Sequence, residues 1–173
     1  MYVEYVSCSE VWTFAANKLW FLKKIFGIKQ EFPKGIRRHD AVYDKSLLQE
    51  LDAKDRERVE RVTSLMERLG EVRPPRTFFK NPEESLMGKA DGFLGDLPVE
   101  IKFYKASRAD RLQATAYALL YGKPKTYLVN PYGVEEIAVE EHMEEVRILV
   151  EEIKSFKRLS KEDIQSLLEE VVF

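Results

Sequence analysis

The first part of the chain repeats apolar residues every three or four positions, which is the spacing of amphipathic helices. Ser7 and Glu10 form a capping-box pattern, and the apolar repeat continues to Gly27, so a first helix is predicted there. The same repeat on a strongly charged background predicts a second helix that opens at Ser46 and ends at Gly70. The link between these two helices is polar.

Residues 71–139 change to the turn signals and two-residue alternation of strands. Ser107 and Asp110 cap one helix within this part, and Gly122 ends it. The order of elements predicts an α/β fold in which a mixed central sheet is flanked by helices. The strands are predicted at 77–80, in a hairpin at about 86–104, at 125–130 and at 134–139. Two final helices are predicted at 140–157 and, after a cap at Ser160, at 161–171.

Length and composition indicate one intracellular domain. The 173 residues fit a single domain with a helical part at 1–70, a sheet core with the active site at 71–139 and carboxy-terminal helices at 140–173. The longest early apolar stretch, residues 11–26, is interrupted by Asn and Lys and can neither span a bilayer nor act as a signal peptide. We therefore expect a cytoplasmic protein without membrane contact.

The net charge of −2 argues against a protein that binds duplex nucleic acid by overall charge, but an enzyme needs only a local basic track. Two groups of cations are candidates for such a track, and each could equally be a solvated surface. The first group is Lys34, Arg37 and Arg38. The second group is Lys102, Lys105, Arg108 and Arg111.

The predicted hairpin carries the candidate chemistry. Apolar and charged residues alternate over 99–103, so Glu100 and Lys102 are expected on one face of a strand and their apolar neighbours on a core. A two-residue turn at Gly95-Asp96 places Asp91 opposite Glu100, with Cβ atoms about 4.5–5.5 Å apart. Two carboxylates that close repel each other unless one takes a proton or a cation lies between them. Mg²⁺ prefers such ligands, and Lys102 can then contact the attacking water or stabilise charge on phosphorus.

An alternative is a solvated ion cluster on an exposed sheet face, because an Asp followed by Glu-x-Lys is a common pattern. The next helix favours the metal site, since Gln113 and Tyr117 lie four positions apart on one face that can reach a metal and a DNA backbone. Leu112, Ala116 and Leu119 are expected on the opposite, buried face. Either polar residue alone could instead line the edge of the core.

Three motifs in this order resemble those of the RecB-like nucleases of the PD-(D/E)XK type. They are GxxD at 88–91, ExK at 100–102 and QxxxY at 113–117. The run FAANKLW at 14–20 is similar to the Phe-Cys-Pro-Arg-Lys-Leu-Trp segment of the compact CRISPR-associated exonucleases in that group. With His39 between this run and the sheet, the resemblance covers most of the chain.

The resemblance implies a restriction-endonuclease-like fold and hydrolysis of DNA phosphodiesters with Mg²⁺ or Mn²⁺. Lys102 would assist the water, and Gln113 and Tyr117 would position substrate and complete the site. The implied metal ligands are His39, Asp91, Glu100 and the backbone carbonyl of Ile101. A lone histidine in a polar link is otherwise usually an exposed residue, and imidazole suits Mn²⁺ better than Mg²⁺.

The compact nucleases hold an iron–sulfur cluster through one cysteine near the start and three near the end, and this chain departs from that pattern. Ala15 and Ala16 stand in the first region, and Cys8 is the one cysteine, which also excludes an internal disulfide. We therefore expect no iron–sulfur cluster. Apolar packing is expected to hold the two last helices instead, through Val146, Leu149, Val150, Ile153, Ile164, Leu167 and Leu168.

The expected function is metal-dependent cleavage of DNA, with exonuclease action on single strands or ends implied by the resemblance alone. The expected substrate-binding residues are Lys105, Arg108 and Arg111. The candidates for stacking on bases, or equally for partly buried positions, are Phe93, Tyr104 and Tyr117. Two alternatives stay open: a catalytically silent DNA-binding or adaptor subunit, and a junction resolvase or restriction-type endonuclease. DNA is the expected partner, and protein partners in a DNA-processing complex are a further option.

Overall fold

The computed structural model of the protein describes residues 3–25, 27, 33–75 and 77–172, and the side chains of these residues except 33–37 and 171–172. The amino-terminal elements are β1 (Val6–Ser7), α1 (Cys8–Ala16), α2 (Lys18–Ile25), α3 (Pro33–Tyr43), a 3-10 segment (Lys45–Glu50) and α4 (Ala53–Leu69). The middle elements are β2 (Val72–Arg73), β3 (Phe79–Asn81), β4 (Leu86–Gly88), β5 (Gly92–Leu94), β6 (Leu97–Ile101), α5 (Arg108–Leu120), β7 (Lys125–Asn130) and β8 (Gly133–Ala138). The last elements are a 3-10 turn (Val139–Glu141), α6 (Met143–Lys157) and α7 (Lys161–Val172).

The strands form two mixed sheets. The larger sheet has the order β2-β5-β6-β7-β8, in which β6 and β7 run parallel and the other neighbours run antiparallel. The smaller sheet has the order β1-β4-β3, with β1 and β4 parallel. Helix α5 connects the parallel pair β6 and β7, as parallel neighbours require a crossover. The predicted α/β arrangement of a mixed sheet flanked by helices is confirmed.

The hairpin of β5 and β6 has the predicted register. Leu94 pairs with Leu97 across the turn, and Gly95, the first turn residue, has φ +61°, a conformation that glycine adopts without steric cost. Pairing continues outward to the start of β5 and stops one position before Asp91 and Glu100. Asp91 therefore lies in the connection from β4 to β5, at the end of the ladder.

The predicted first helix is in fact two helices. Asn17 has an extended backbone (φ −162°, ψ 103°) between α1 and α2, and its side-chain oxygen accepts a hydrogen bond of 3.2 Å from the backbone N–H of Trp20. An asparagine that caps a new helix in this way competes with continuation of the preceding one. The capping box of Ser7 and Glu10 at the start of α1 is confirmed.

The predicted second helix also begins later than expected. Asp44 caps the 3-10 segment that contains Ser46, Leu51 is extended, and Asp52 caps α4. The two aspartates offer side-chain acceptors at two separate points, where apolar spacing alone predicted one uninterrupted helix. The end of α4 at Gly70 is confirmed.

His39 lies in helix α3, so its prediction as part of a polar link was wrong. Pro33 begins this helix, at a position where its missing N–H costs no hydrogen bond. Ala41 and Val42 are buried against α4 and the sheet, so tertiary packing stabilises a segment whose apolar repeat is weak. The helix places His39 and Tyr43 one turn apart on one face.

Two apolar clusters lie on opposite faces of the larger sheet. The predicted core residues of β6 and its extension pack with α3 and α4; they are Val99, Ile101 and Phe103. The other cluster lies among α1, α5 and α6 and includes Val146, Leu149, Val150 and Ile153, as predicted. In α7, Ile164 is buried and Leu167 and Leu168 are half-buried. Within the described ranges, no helix is long and apolar enough to cross a membrane.

Candidate active site

Glu100 and Lys102 project from β6 and its extension toward α1 and α5. The exposed fraction of the side chain is 2% for Glu100 and 13% for Lys102. The alternative of a solvated ion cluster on an exposed sheet face therefore does not hold. Because an isolated buried charge is very unfavourable, these two groups depend on compensating partners.

The Lys102 ammonium has three oxygen neighbours. Its Nζ lies 2.9 Å from Glu100 Oε1, donates a hydrogen bond of 2.7 Å to Gln113 Oε1 and lies 3.6 Å from Asp110 Oδ1. Burial acts against its charge, but the Glu100 carboxylate raises the pKa of Lys102 above its usual value. Gln113 thus faces the site, as predicted, and its contact there is with the lysine.

Asp91 is held by β6 and by α3. Its Oδ2 accepts a hydrogen bond of 2.9 Å from the backbone N–H of Ile101 and lies 3.2 Å from His39 Nε2. The same His39 nitrogen lies 3.1 Å from the carbonyl oxygen of Ile101. Burial alone would raise the pKa of Asp91, but His39 and the Lys102 charge hold it below its usual value. Three of the four ligands implied by the resemblance are therefore in mutual contact.

Glu100, the fourth implied ligand, is only half satisfied. Its Oε1 faces Lys102, whereas its Oε2 is buried without a hydrogen-bond partner among the described residues. Burial raises the pKa of Glu100 to about 8, and the charge of Asp91 acts in the same direction. A buried carboxylate oxygen without a partner costs about 1–3 kcal/mol or more, so this atom is a place where a cation would be stabilised.

The ligand set fits a divalent cation in its chemistry, although its side chains do not converge on a single point. Across the part of the chain that the structure describes, no three His, Cys, Asp or Glu side chains form a ready metal site. His39 Nε2 lies between Asp91 Oδ2 and the carbonyl oxygen of Ile101. One of the implied ligand atoms is thus a backbone oxygen and belongs to no acidic side chain. Carboxylate and carbonyl oxygens suit Mg²⁺ and Mn²⁺, and the nitrogen suits Mn²⁺.

Tyr117 is buried beneath β4. A Cβ on Gly88 would lie 3.2 Å from its ring carbon Cε1, so the glycine of the GxxD motif leaves room for this ring. The Tyr117 hydroxyl interacts with the Gln113 side chain, and burial raises the pKa of Tyr117 well above its usual value. Tyr117 and Phe93 are too deeply buried to stack on a base, whereas the Tyr104 side chain is 42% exposed. Leu112 and Ala116 are buried as predicted, but α5 is buried nearly all around.

Of the expected substrate-binding cations, two are engaged in ion pairs. Arg108 pairs with Glu145, and Arg111 makes a bidentate pair with Glu135 at 2.7 and 3.0 Å. Lys105 is exposed and has no ion pair with any residue that the structure describes. Lys105 is therefore the cation of this group that is most readily available to a phosphate.

In the first basic group, Lys34, Arg37 and Arg38, the side chain of Arg38 is the one that the structure describes. Arg38 pairs through Nε with the buried Asp55 at 3.1 Å, which gives it a structural contact to α4. The side chains of Lys34 and Arg37 lie outside the described residues.

A groove of about 780 Å³ opens onto His39 and Asp91. It runs between α3 and the segment that contains Pro74 and Pro75, and Lys89 lines it on the side of the GxxD motif. His39 and Asp91 are therefore reachable from solvent at this side, whereas Glu100, Ile101 and Lys102 are enclosed.

Sequence reasoning missed Tyr43. Its hydroxyl donates a hydrogen bond of 2.7 Å to the backbone carbonyl of Asp91, and a Cβ on Gly92 would lie 2.2 Å from that hydroxyl oxygen. The signal was the four-residue interval from His39, which becomes meaningful only once the segment is known to be helical. Asp110 was recognised as a helix cap, but not as a neighbour of Lys102.

Comparisons with known proteins supply no relative for this site. No protein-family model matches the chain, and no curated protein and no solved structure matches it. The resemblance to RecB-like nucleases therefore stays a prediction from the sequence motifs.

Proposed function

We propose that this protein is a metal-dependent deoxyribonuclease with a restriction-endonuclease-like fold of the RecB-like type. The observation that carries the proposal is the buried Glu100 Oε2 beside Asp91 and Lys102, which has no hydrogen-bond partner in the part of the chain that the structure describes. A buried, half-satisfied carboxylate near a second carboxylate, with a lysine fixed beside it, is suited to bind a cation and to stabilise a negatively charged transition state. A site of purely structural ion pairs would satisfy both oxygens of its glutamate.

The residues that would hold Mg²⁺ or Mn²⁺ are His39, Asp91, Glu100 and, through its carbonyl oxygen, Ile101. When bound there, the cation supplies Lewis acidity and makes a water molecule acidic enough to act as a nucleophile near neutral pH. His39 would bind through a neutral ring nitrogen, because a protonated imidazole has no lone pair to offer.

The chain's own residues would perform the other steps. The Lys102 ammonium, held by Gln113, stabilises the negative charge that develops on the phosphate oxygens during attack. The buried Tyr117 hydroxyl interacts with the Gln113 side chain and helps to hold it in position. The hydrogen bond from the Ile101 N–H keeps the Asp91 carboxylate oriented toward the proposed cation site.

DNA is the proposed substrate, and action on single strands or ends follows from the resemblance. The groove at His39 and Asp91 is the open approach for a strand, and Lys105 is an exposed cation near the end of β6. The cleft needs no large basic surface, since the cation in the site would itself attract a phosphate.

The proposal is tested by cleavage of end-labelled single- and double-stranded DNA with Mg²⁺, Mn²⁺ or EDTA. The native protein, Lys102→Ala and Asp91→Ala are compared with Lys125→Ala, which removes a partly exposed lysine paired with Glu136 on the same sheet. We expect metal-dependent cleavage by the native protein and Lys125→Ala, and its loss in the two site variants. The product ladder shows whether cleavage starts at ends.

Binding of DNA without cleavage under every metal condition would contradict the enzymatic proposal and favour a silent DNA-binding subunit. Cleavage that persists in Asp91→Ala at the native rate would place the active site elsewhere or indicate a contaminating nuclease.

A further inference from the structure

Asp110 is a fully buried carboxylate whose two oxygens have separate partners. Its Oδ2 accepts hydrogen bonds from the backbone N–H of Ser107 at 2.8 Å and from the Ser107 hydroxyl at 2.7 Å. These contacts complete the capping box at the start of α5. The helix cap therefore uses Oδ2 of Asp110 and does not involve Oδ1.

The second oxygen, Oδ1, faces the active-site lysine. It accepts hydrogen bonds from Trp12 Nε1 at 2.8 Å and from the Tyr104 hydroxyl at 2.9 Å, and it lies 3.6 Å from Lys102 Nζ. The side chain of Asp110 has an exposed fraction of 0%, although helix caps are commonly solvated. A buried carboxylate is tolerated when it is fully hydrogen-bonded and lies near an opposite charge.

Trp12 contacts both Asp110 Oδ1 and Lys102. The Lys102 Nζ lies 5.4 Å from the centroid of the Trp12 ring, whose N–H is bonded to Asp110. The ammonium is thus bordered by Glu100, Gln113, Asp110 and an aromatic face. An ammonium has three donors, so Lys102 still has Gln113 and Asp110 as oxygen neighbours when Glu100 turns away.

We propose that Asp110, anchored by Trp12 and Tyr104, is a positioning residue that keeps Lys102 in place when Glu100 turns its carboxylate to the cation. The inference rests on the proposed function. In the structure Glu100 Oε1 is a partner of Lys102, and a glutamate drawn toward a cation holds the lysine less firmly. Gln113 then remains as its hydrogen-bond acceptor and Asp110 as its nearby negative charge. Asp110 touches neither substrate nor cation in this scheme.

The test compares Asp110→Asn with Ser107→Ala, a control that weakens the same cap without changing the charge beside Lys102. We expect Asp110→Asn to lower kcat about tenfold or more, as for other residues that orient an active group, with KM and Mn²⁺ affinity within about twofold of native. Ser107→Ala should lower the melting temperature comparably and leave kcat unchanged. Native cleavage with an unchanged kcat in Asp110→Asn would overturn the inference.

A second measurement needs neither metal nor activity. In EDTA, Lys102→Met should lower the melting temperature less in the Asp110→Asn background than in the native one, because fewer buried negative charges lose their counter-charge. Additive effects, as expected for Ser107→Ala with Lys102→Met, would overturn the link between Asp110 and Lys102. A native protein without cleavage contradicts the proposed function and leaves this coupling to decide the inference.

A milder variant covers the case in which Asp110→Asn does not fold. Tyr104→Phe removes one hydrogen bond to Oδ1 from a half-exposed side chain, and we expect kcat to fall severalfold with an unchanged melting temperature. An unchanged kcat in this variant would count against the proposal.

Discussion

The α3 side and the α1–α5 side of the candidate site differ in how they hold charged groups. On the α3 side, the Asp91 side chain is 23% exposed, lies beside His39 and borders an open groove. On the α1–α5 side, Lys102 is enclosed by Gln113, Asp110 and Trp12. Glu100 stands between the two sides, with one oxygen toward Lys102 and the other without a partner among the described residues.

This difference assigns separate tasks to the two sides. The open side can admit a ligand, because His39 and Asp91 border an open groove. The enclosed side keeps the Lys102 ammonium fixed. A charge held in place in advance can stabilise the transition state without reorganising during the reaction. Substitutions on the two sides should therefore affect activity and stability in different proportions.

The largest expected effect is on activity, at the residue shared by both sides. Glu100→Gln should reduce DNA cleavage by about 100-fold or more, because a neutral amide is a poor ligand and stabilises less charge. The same change should leave the free energy of unfolding unchanged or higher, since a neutral amide avoids the cost of ionising a buried carboxyl group whose Oε2 has no hydrogen-bond partner among the described residues. Initial cleavage rates and urea unfolding in EDTA measure the two quantities. A clear loss of stability at near-native activity would reverse the role given to this residue.

Removal of the enclosed Lys102 ammonium should cause the largest loss of stability. Lys102→Met leaves Glu100 and Asp110 without their shared counter-charge, and we expect a loss of about 3 kcal/mol in the free energy of unfolding. His39→Ala, on the open side, should cost less than about 1 kcal/mol, because its contacts are partly solvated. Urea unfolding of both variants in EDTA makes the comparison. Equal losses would show that the two sides do not differ in this way.

The contact of α3 with the hairpin is tested at Gly92. Gly92→Ala would bring a Cβ to 2.2 Å from the Tyr43 hydroxyl oxygen and to 3.0 Å from the carbonyl oxygen of Arg73. We expect a loss of about 2 kcal/mol from this overpacking. Tyr43→Phe in the same chain should recover part of it, since the contact with Arg73 persists. Thermal unfolding of the two single variants and the double variant gives the coupling, and strict additivity would speak against the contact.

The remaining expected effect concerns pH and no substitution: it is a pH dependence of stability without metal. The folded state keeps the Glu100 proton up to a pKa of about 8, whereas the unfolded chain releases it near the ordinary value of 4.5. Raising the pH between these values therefore favours the unfolded state through this group. The native protein should lose more stability over this range than Glu100→Gln does. Unfolding curves at several pH values in EDTA test this, and parallel profiles would contradict it.

Much of the hairpin was predictable because it depends on neighbours within a few positions. The alternation over 99–103 and the turn at Gly95 predicted the register and the face that carries Glu100 and Lys102. The caps of α1 and α5 are equally local and were also predicted. The helix that carries His39 was not, because its stability comes from packing against α4 and the sheet.

The sequence by itself therefore determined which residues are brought together by one hairpin and one capped helix, since strand pairing and side-chain periodicity act over short separations. The tertiary structure alone decided that Glu100 is buried with one oxygen unpartnered among the described residues, that α3 places His39 beside Asp91, and that Trp12 reaches Asp110 across 98 positions of chain. Those features depend on how helices pack over the sheet, and the packing of distant segments leaves no periodic signal in the chain.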